Sequence, residues 1–205
     1  MGAWDSYKVD VPEGALDGVA VERFSLDSEA STWTYVHDGG RGIPPGDYTR
    51  LIVGKNTWMS DTPAEIGDHW PVMEKIHKPS TSSVLVNGLG LGMIVKYALA
   101  HEHVTSVDVV ENDKRIIELV GPTYTSDGRV TIHEADAYDI EWPARRRWDI
   151  AWHDVWLDLD YEKNLPGMSR LHRKYGTRVG WQGSWGKNIL LRERAAARRH
   201  EELWG

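Results

Sequence analysis

A short apolar run that enters a turn of alternating glycines is the feature that most constrains this chain. Residues 83–87 form the run, and Gly88, Gly90 and Gly92 follow at every second position. A helical pattern leaves the turn, and a second apolar run then ends on Glu111. In an open α/β sheet this order brings the turn and the carboxylate together at the carboxyl ends of neighbouring strands, where such sheets bind ligands. Glycines let the backbone approach a ligand closely and an acid accepts hydrogen bonds from a ribose diol, so the pattern predicts a nucleoside-binding site.

The spacing of the glycines narrows the kind of nucleoside. A dinucleotide-binding turn has the pattern G-x-G-x-x-G, in which the third glycine lets the helix pack tightly against the strand. Here the pattern is G-x-G-x-G, and Met93 occupies the position of that third glycine. No Lys-Ser or Lys-Thr pair follows the turn, so the sequence lacks the phosphate-cradling loop of nucleotide triphosphatases.

Three alternating glycines with an acid 19 residues after Gly92 resemble the class I S-adenosylmethionine-dependent methyltransferases. In that family the glycine turn lies under the methionine part of the cofactor, and the acid after the second strand holds the ribose hydroxyls. The resemblance therefore implies S-adenosylmethionine as the cofactor. The cofactor-binding residues that it implies around the first two strands are Asn87, Gly88, Gly90, Gly92, Glu111 and Asn112.

A third strand end extends the resemblance. Residues 129–134 are predicted to form a strand that leads into Asp136 and Ala137. In the family the acid at this position accepts a hydrogen bond from the exocyclic amine of adenine, and the small neighbour contacts the ring through its backbone. An acid in this position is also typical of a turn or a helix cap, and that reading stays open.

A fourth strand end carries the candidate catalytic residues. Residues 148–154 are predicted to form this strand, and its end faces the transferable group in the family. Asp154 is the candidate base or anchor for the acceptor and also a cofactor contact, with a helix cap as the alternative. His153 is the second catalytic candidate, although neighbouring strand residues point to opposite faces and are not expected to form a facing pair. Trp156 is predicted to shape the acceptor pocket.

Within the superfamily the closer likeness is to the spermidine synthases. Residues 59–65, ahead of the core, resemble that family's hairpin and entry loop, and Asp61 and Asp68 are the acids that we place in the substrate pocket. Two departures weaken polyamine chemistry. Gly90 replaces the central acid of the family's G-G-D-G-G turn, and the second acid after the fourth strand has the wrong spacing.

The predicted fold is α/β, a Rossmann-like methyltransferase sheet that is shortened at its C-terminal side and preceded by a small β segment. Residues 1–61 are predicted to be the β-rich segment, 62–183 the S-adenosylmethionine-binding core, and 184–205 a basic helix. After a fifth strand at residues 177–182 the chain has one helix, whereas a complete methyltransferase sheet adds two more strands. The uncovered edge would invite pairing with another chain, unless other strands or a partner subunit cover it.

Local signals predict several element boundaries. Alternation over residues 7–11 predicts a strand. Thr62 and Glu65 have the spacing of a capping box at a helix start. Residues 112–120 are predicted to form a helix that stops at a Gly-Pro pair, and residues 161–175 a helix that a Pro-Gly pair interrupts.

Composition restricts the partners and the location. The 205 residues contain no cysteine, which removes disulfides and thiolate chemistry, and no apolar run approaches the ~20 residues of a membrane span. We therefore predict a cytoplasmic protein without membrane contact, and we interpret residues 101–103, His-Glu-His, as a helix end or surface rather than a metal site. Residues 170–205 carry nine Lys or Arg and three Asp or Glu in a chain of net charge −7. A solvated helix face or a homodimer interface explains this charge, and nucleic acid is the less favoured partner because no recognition motif accompanies it.

Three functional classes follow. The favoured class is an S-adenosylmethionine-dependent methyltransferase whose acceptor, most simply a small molecule, the sequence does not identify. The alternatives are an aminopropyltransferase of the spermidine synthase type and a non-catalytic module that binds S-adenosylmethionine or a protein partner, because a fold alone does not establish chemistry.

Overall fold

The computed structural model describes residues 4–37 and 41–204 of the chain. They form one antiparallel sheet and one parallel sheet. The antiparallel strands are β1 (Gly14–Leu16), β2 (Val19–Leu26), β3 (Gly46–Val53) and β4 (Asn56–Ser60). The parallel strands are β5 (Ser83–Asn87), β6 (Ser106–Glu111), β7 (Val130–Glu134), β8 (Trp148–His153) and β9 (Val179–Ser184).

Helices join the two sheets and follow the parallel strands. They are α1 (Ser28–His37), α2 (Pro63–Asp68), α3 (Trp70–Ile76), α4 (Met93–Leu99), α5 (Lys114–Thr125), α6 (Tyr161–Tyr175) and α7 (Lys187–Trp204). Within the described ranges, none of these helices combines the length and the apolar character that a membrane span needs.

The parallel sheet has the order β7-β6-β5-β8-β9, with β5 at its centre. Numbered along the sheet this is 3-2-1-4-5, the order of a Rossmann-like fold, in which ligands bind at the carboxyl ends of the strands beside the central one. Strand β5 is buried from Val84 to Asn87, as expected for a parallel strand covered on both faces. The predicted α/β fold is confirmed, and in the described chain the sheet has five strands, as the shortened form requires.

The antiparallel sheet packs onto the parallel one and shares its hydrophobic core. Val19, Val21 and Leu51 from β2 and β3 belong to the same buried cluster as Val84 and Val107 from the parallel sheet. Strand β4 leads into α2 after two residues, and Met59 near the end of β4 lies against Gly90 in the turn after β5. The structure thus places the β segment over the predicted ligand edge, while the exact segment boundaries at 61 and 183 stay predictions.

The predicted strand at residues 7–11 is wrong. Asp5–Tyr7 forms a short 3₁₀ turn, and Val9 donates its backbone N–H to the Asp61 carboxylate at 3.0 Å instead of to a strand partner. Val9 and Val11 are both buried, so the alternating pattern reflects burial of these side chains rather than pairing with a neighbouring strand. Helix α1 was not predicted, because its residues show no clear apolar face.

The predicted helix at residues 112–120 is shifted in the structure. Helix α5 begins at Lys114, where Asp113 caps it by accepting from Arg115 N, and continues through the Gly-Pro pair to Thr125. A Cβ added to Gly121 would lie 3.1 Å from the Ile132 Cδ1. This glycine therefore lets the helix lie close to β7, and packing outweighs the local preference to stop.

Helix α6 also continues through its proline. The Asp160 side chain caps its first turn by accepting from Glu162 N and Lys163 N, and Pro166 lies inside the helix. A Cβ on Gly167 would lie 2.7 Å from the Tyr138 Oη. The glycine that was expected to interrupt α6 instead makes room for a side chain of the cavity described below.

The capping box at the start of α2 has a different partner from the one predicted. Thr62 is the N-cap residue but makes no side-chain capping bond. Glu65 reaches back beyond it and accepts from Ser60 N at 2.7 Å and from Ser60 Oγ at 2.8 Å. The carboxylate thus fixes the end of β4 against the helix rather than closing a box with Thr62.

Candidate functional site

A cavity of about 320 Å³ lies at the carboxyl ends of β5, β6, β7 and β8. This is the edge at which parallel α/β sheets bind ligands. Eight of the predicted site residues line it, namely Gly88, Gly90, Glu111, Asn112, Asp136, Ala137, Asp154 and Trp156. The four predicted strand ends therefore meet in one concave site, although their individual roles stay predictions.

Two glycines of the turn are close to residues that would exclude any side chain. Gly88 has φ +97°, and a Cβ there would lie 1.9 Å from the backbone oxygen of Asp154. Gly90 has φ +50°, and a Cβ there would lie 2.6 Å from the Met59 Sδ. At Gly88 the left-handed backbone and a backbone neighbour together require glycine, whereas at Gly90 the Met59 side chain can move and the left-handed backbone alone favours glycine.

Gly92 has a structural role outside the cavity. Its φ is +74°, and a Cβ there would lie 2.1 Å from the ring of Tyr124, whose hydroxyl donates to Leu91 O at 2.7 Å. The third glycine therefore brings α5 against the turn. It is not among the residues that line the 320 Å³ cavity.

Glu111 is tied to the glycine turn by its carboxylate. One oxygen accepts from Leu89 N at 2.9 Å, and the other accepts from Asn112 N and Asp113 N, both at 2.8 Å. A carboxylate offers about four acceptor positions, so roughly one remains for a ligand. The expected bidentate contact to a ribose diol thus requires that one of these backbone bonds be released.

Asp136 and Ala137 form the next part of the wall. The exposed Asp136 side chain accepts from Tyr138 N at 2.7 Å and so shapes the turn after β7. The buried Ala137 accepts at its carbonyl from the Tyr175 hydroxyl at 3.0 Å. The turn reading of Asp136 is therefore correct, and its second carboxylate oxygen is available to a ligand in the same cavity.

Asp154 contributes to the opposite wall a carboxyl side chain that is 13% exposed. Its backbone N–H donates to Asn87 O at 2.8 Å, which fixes it beside the first strand. Its Oδ2 lies 3.7 Å from the Nε2 of His69, a residue 2% exposed that stands between α2 and α3. Burial, followed by the negative charges of Glu65, Asp68 and Glu111, raises the pKa of Asp154 to about 8.

His69 faces Asp154 as a neutral ring. Burial lowers the pKa of His69 to about 4, and its Nδ1 has no hydrogen-bond partner among the described residues. Between those two pKa values the proton resides on the carboxyl of Asp154. No sequence pattern identifies this residue, because nothing in a break between two short helices marks a histidine as part of a site.

His153 lies on the other face of β8, away from the cavity. Its Nε2 lies 3.0 Å from the Gln182 Oε1, and its Nδ1 lies 2.7 Å from the Asn87 Nδ2. Burial lowers its pKa to about 4, so the ring is neutral. The expectation that His153 and Asp154 do not face each other is confirmed. Of the predicted catalytic pair, Asp154 alone lines the cavity, and Asn87 supports His153 rather than the cavity wall.

Asp61 and Asp68 also lie outside the cavity. Asp61 accepts from Thr49 N and Val9 N, at 2.6 and 3.0 Å, which anchors the N-terminal segment to β3. Asp68 forms a two-point ion pair with Arg41. Both carboxylates are engaged elsewhere in the described chain and do not reach the substrate pocket that was predicted for them.

The cavity is acidic and aromatic. Its ionisable carboxyl groups belong to Glu111, Asp136 and Asp154, and no Lys, Arg or His stands among the described residues that line it. Trp58 and Tyr138 add rings to that of Trp156. A surface of this kind attracts cations through both charge and ring faces, and it repels phosphates.

The buried groups around the cavity predict a stability maximum near pH 6.5. His69 and His153 have folded-state pKa values of about 4, below the ordinary value, so the unfolded chain binds more protons between pH 4 and 6.5 and stability rises with pH there. Asp154 has a folded-state pKa of about 8, above its ordinary value, so the folded chain binds more protons at this group than the unfolded chain does. Through this group the free energy of unfolding falls as pH rises toward 8.

Urea unfolding measures this balance. From pH 6.5 to 8 we expect the free energy of unfolding to fall by up to about 1.4 kcal/mol per pH unit, the slope for one proton. Replacing Asp154 with asparagine removes the fall and leaves the rise below pH 6.5. A fall of equal size in that variant would assign the titration to another group.

No metal-holding group of three or more His, Cys, Asp or Glu is found among the described residues.

The sequence matches no protein-family model and no curated protein. A solved structure titled S-adenosylmethionine-dependent methyltransferase, from Mesorhizobium loti, is similar at 19% identity and a TM-score of 0.39, over 55% of this chain and 48% of that chain. A human methyltransferase 10 domain containing protein is similar at 14% identity and a TM-score of 0.46, over 66% and 70%. The chain spans 40% to 48% of the first three similar structures. Likenesses of this extent assign no activity, so function rests on the residues of the cavity.

Proposed function

We propose that the chain is an S-adenosylmethionine-dependent methyltransferase that acts on a small-molecule acceptor. The observation that carries the proposal is the cavity at the carboxyl edge of the sheet, with glycines at its floor and carboxyl and aromatic groups on its walls. S-adenosylmethionine carries a sulfonium cation, which these walls favour, whereas the pyrophosphate of a dinucleotide would meet three carboxyl groups and no cation.

The residues present fit this cofactor. Gly88 and Gly90 line the cavity without side chains and so present their backbone to it, and Asn112, Asp136 and Ala137 lie together at the ends of β6 and β7, where a nucleoside would be held. When bound, the sulfonium supplies a methyl group that is already activated. The protein then has to align an acceptor and, where required, to remove its proton.

Asp154 is the residue best placed for that proton. Its carboxyl is 13% exposed and accepts no backbone hydrogen bond among the described contacts, unlike that of Glu111. Trp156 and Leu157 follow it along the same wall, with Trp58 also lining the cavity. These side chains form an apolar pocket around one ionisable group. A compact, largely apolar acceptor with one hydroxyl or amine matches this combination.

Transfer of a radiolabelled methyl group tests the proposal. Purified protein is incubated with methyl-labelled S-adenosylmethionine and a small-molecule fraction of a cell extract, and label is followed into new small molecules. We expect Asp154→Asn to lower the rate by about 100-fold or more, the usual contribution of a positioned acid or base. It should still bind S-adenosylhomocysteine.

The matched control for this variant is Asp158→Asn. Asp158 is exposed, lies in the same loop and does not line the cavity, so its replacement should leave the rate unchanged. Equal rates in the wild type and Asp154→Asn would remove the proposed role of Asp154. Tight cofactor binding without label in small molecules, protein or nucleic acid would favour the non-catalytic module.

Aminopropyl transfer has less support than methyl transfer. A polyamine site needs several free acids, and the cavity lacks two that were expected, because Asp61 and Asp68 are engaged with backbone N–H groups and Arg41. Formation of methylthioadenosine only with decarboxylated cofactor and putrescine would restore the spermidine synthase-like alternative. A homodimer and nucleic-acid binding through α7 stay predictions.

A further inference from the structure

We propose that Asp154 and His69 form a charge-selective pair that distinguishes the sulfonium cofactor from its neutral thioether product and releases a proton when the cation binds. The inference rests on the proposed function, because it names what one wall of the same cavity does. It adds a residue, His69, that lies behind the cavity wall rather than on it.

The geometry isolates this carboxyl from the other two of the cavity. Glu111 is held by three backbone N–H groups, and Asp136 is exposed and accepts from Tyr138 N. Within the described chain, the polar contact recorded for the Asp154 carboxyl is the His69 ring at 3.7 Å. Its lone pairs are therefore available to a cation in the cavity, and no described residue that lines the cavity is a Lys, Arg or His that would compete.

His69 is arranged as a neutral polar partner rather than as a counter-ion. Its ring lies edge-on against Trp152, with ring centroids 5.9 Å apart, and its Nδ1 is unpaired in the described structure. A second proton on this ring would place a charge against an apolar indole with no acceptor at Nδ1, which is costly. At 3.7 Å from the Asp154 Oδ2 the Nε2 is too distant for a hydrogen bond, so the neutral ring presents an N–H dipole to the carboxyl and does not neutralise it by becoming charged.

The charges around the pair favour a protonated Asp154 while the cavity holds no cation. Glu65 and Asp68 act from α2 and Glu111 from β6, all with the sign that opposes ionisation. Arg41, in the segment before β3, is paired with Asp68. The pKa of Asp154, raised to about 8, fits a carboxyl that keeps its proton at neutral pH until a cation arrives.

A cation beside the Asp154 carboxyl reverses its preference for the protonated form. The sulfonium attracts the ionised form, so binding displaces the proton to solvent, whereas the thioether has no charge and leaves the proton in place. The pair therefore favours the charged cofactor over the spent one, and it does so increasingly as pH rises toward 8. This property would help the protein to release product.

Calorimetry in buffers of different ionisation enthalpy measures the number of protons released when a ligand binds. The wild type is titrated with S-adenosylmethionine and with S-adenosylhomocysteine, and each value is compared with that of Asp154→Asn, so that titration of the ligands' own amino groups cancels. At pH 7 we expect about 0.9 proton released with the sulfonium and none with the thioether, from the fraction protonated one pH unit below the pKa. The affinity ratio of the two ligands should rise roughly tenfold from pH 6 to 7 in the wild type only.

Two substitutions of His69 separate its polar contact from its volume. His69→Gln keeps an N–H donor and should behave as the wild type. His69→Phe keeps a ring but loses the donor, so at pH 8 the released proton count should rise from about one half toward one. Circular dichroism establishes that each variant is folded, and Asp158→Asn serves as the carboxylate control.

The outcomes separate this inference from the proposed function. Binding of both ligands with equal proton release, or with none, overturns the charge-selective pair and leaves cofactor binding intact. Identical values for His69→Phe and the wild type remove His69 from the pair. Failure of the wild type to bind either ligand contradicts the proposed function itself.

Discussion

Replacing Gly88 with alanine is expected to lower the free energy of unfolding by about 3 to 5 kcal/mol and to abolish ligand binding in the cavity. The new Cβ would lie 1.9 Å from the backbone oxygen of Asp154, and the backbone at Gly88 has φ +97°. The chain cannot relieve this contact by rotating a side chain, because the opposing atom belongs to the backbone. The ends of β5 and β8 would have to separate, and those two ends form the wall and floor of the cavity.

Gly54→Ala is the matched control for this variant. Gly54 has φ +63° in the turn between β3 and β4, and nothing lies within 4 Å of a Cβ placed there. It therefore reports the cost of left-handed backbone alone, about 1 kcal/mol. Urea unfolding of both variants gives the difference. Equal losses of stability would show that the close approach of Gly88 to Asp154 does not contribute to the change in the free energy of unfolding.

Glu111→Ala should lower the free energy of unfolding by about 3 to 5 kcal/mol, because three backbone N–H groups would lose a charged acceptor. The three donors belong to Leu89, Asn112 and Asp113, on both sides of the glycine turn. Loss of this acceptor should also disorder the turn. We therefore expect weaker cofactor binding even if the carboxylate never contacts the ribose.

Glu134→Ala is the control for the loss of the Glu111 hydrogen bonds. Glu134 pairs with Glu111 in the register of β6 and β7, but its side chain is exposed. Its replacement should change stability by less than about 0.5 kcal/mol. Hydrogen exchange at the N–H of Leu89 provides the local measurement. Unchanged protection of that amide in Glu111→Ala would contradict the structural role of Glu111.

The sequence predicted the edge of the sheet well because parallel strands leave strong local signals. Each strand is an apolar run, and the residue after it stands at the same edge, so Gly88, Glu111, Asp136 and Asp154 were brought together by topology alone. No tertiary detail was needed to place these residues in one cavity.

The individual contacts of the opposite wall could not be predicted, because they depend on how the antiparallel sheet packs onto the parallel one. Trp58 and Met59 reach the cavity from β4, and His69 reaches Asp154 from a break between two short helices. Neither contact leaves a periodic signal in the sequence. The same packing engages Asp61 in backbone hydrogen bonds, so an acid that a family likeness placed in the pocket became an anchor.

Helix boundaries failed for a related reason. Local rules stop a helix at Gly-Pro, but in α5 the glycine at 121 allows close packing on β7. In α6 the glycine at 167 makes room for Tyr138. In both cases a tertiary contact uses the small residue, and the helix continues past the proline.

Calorimetric titration of the wild-type chain with S-adenosylhomocysteine and, separately, with NAD tests the central claim most directly. The carboxyl and backbone groups at the ends of β6 and β7 predict binding of S-adenosylhomocysteine through its nucleoside. They predict no measurable binding of NAD, whose pyrophosphate would meet carboxyl groups and no Lys or Arg among the described lining residues. Tight binding of NAD together with no binding of S-adenosylhomocysteine would contradict the account.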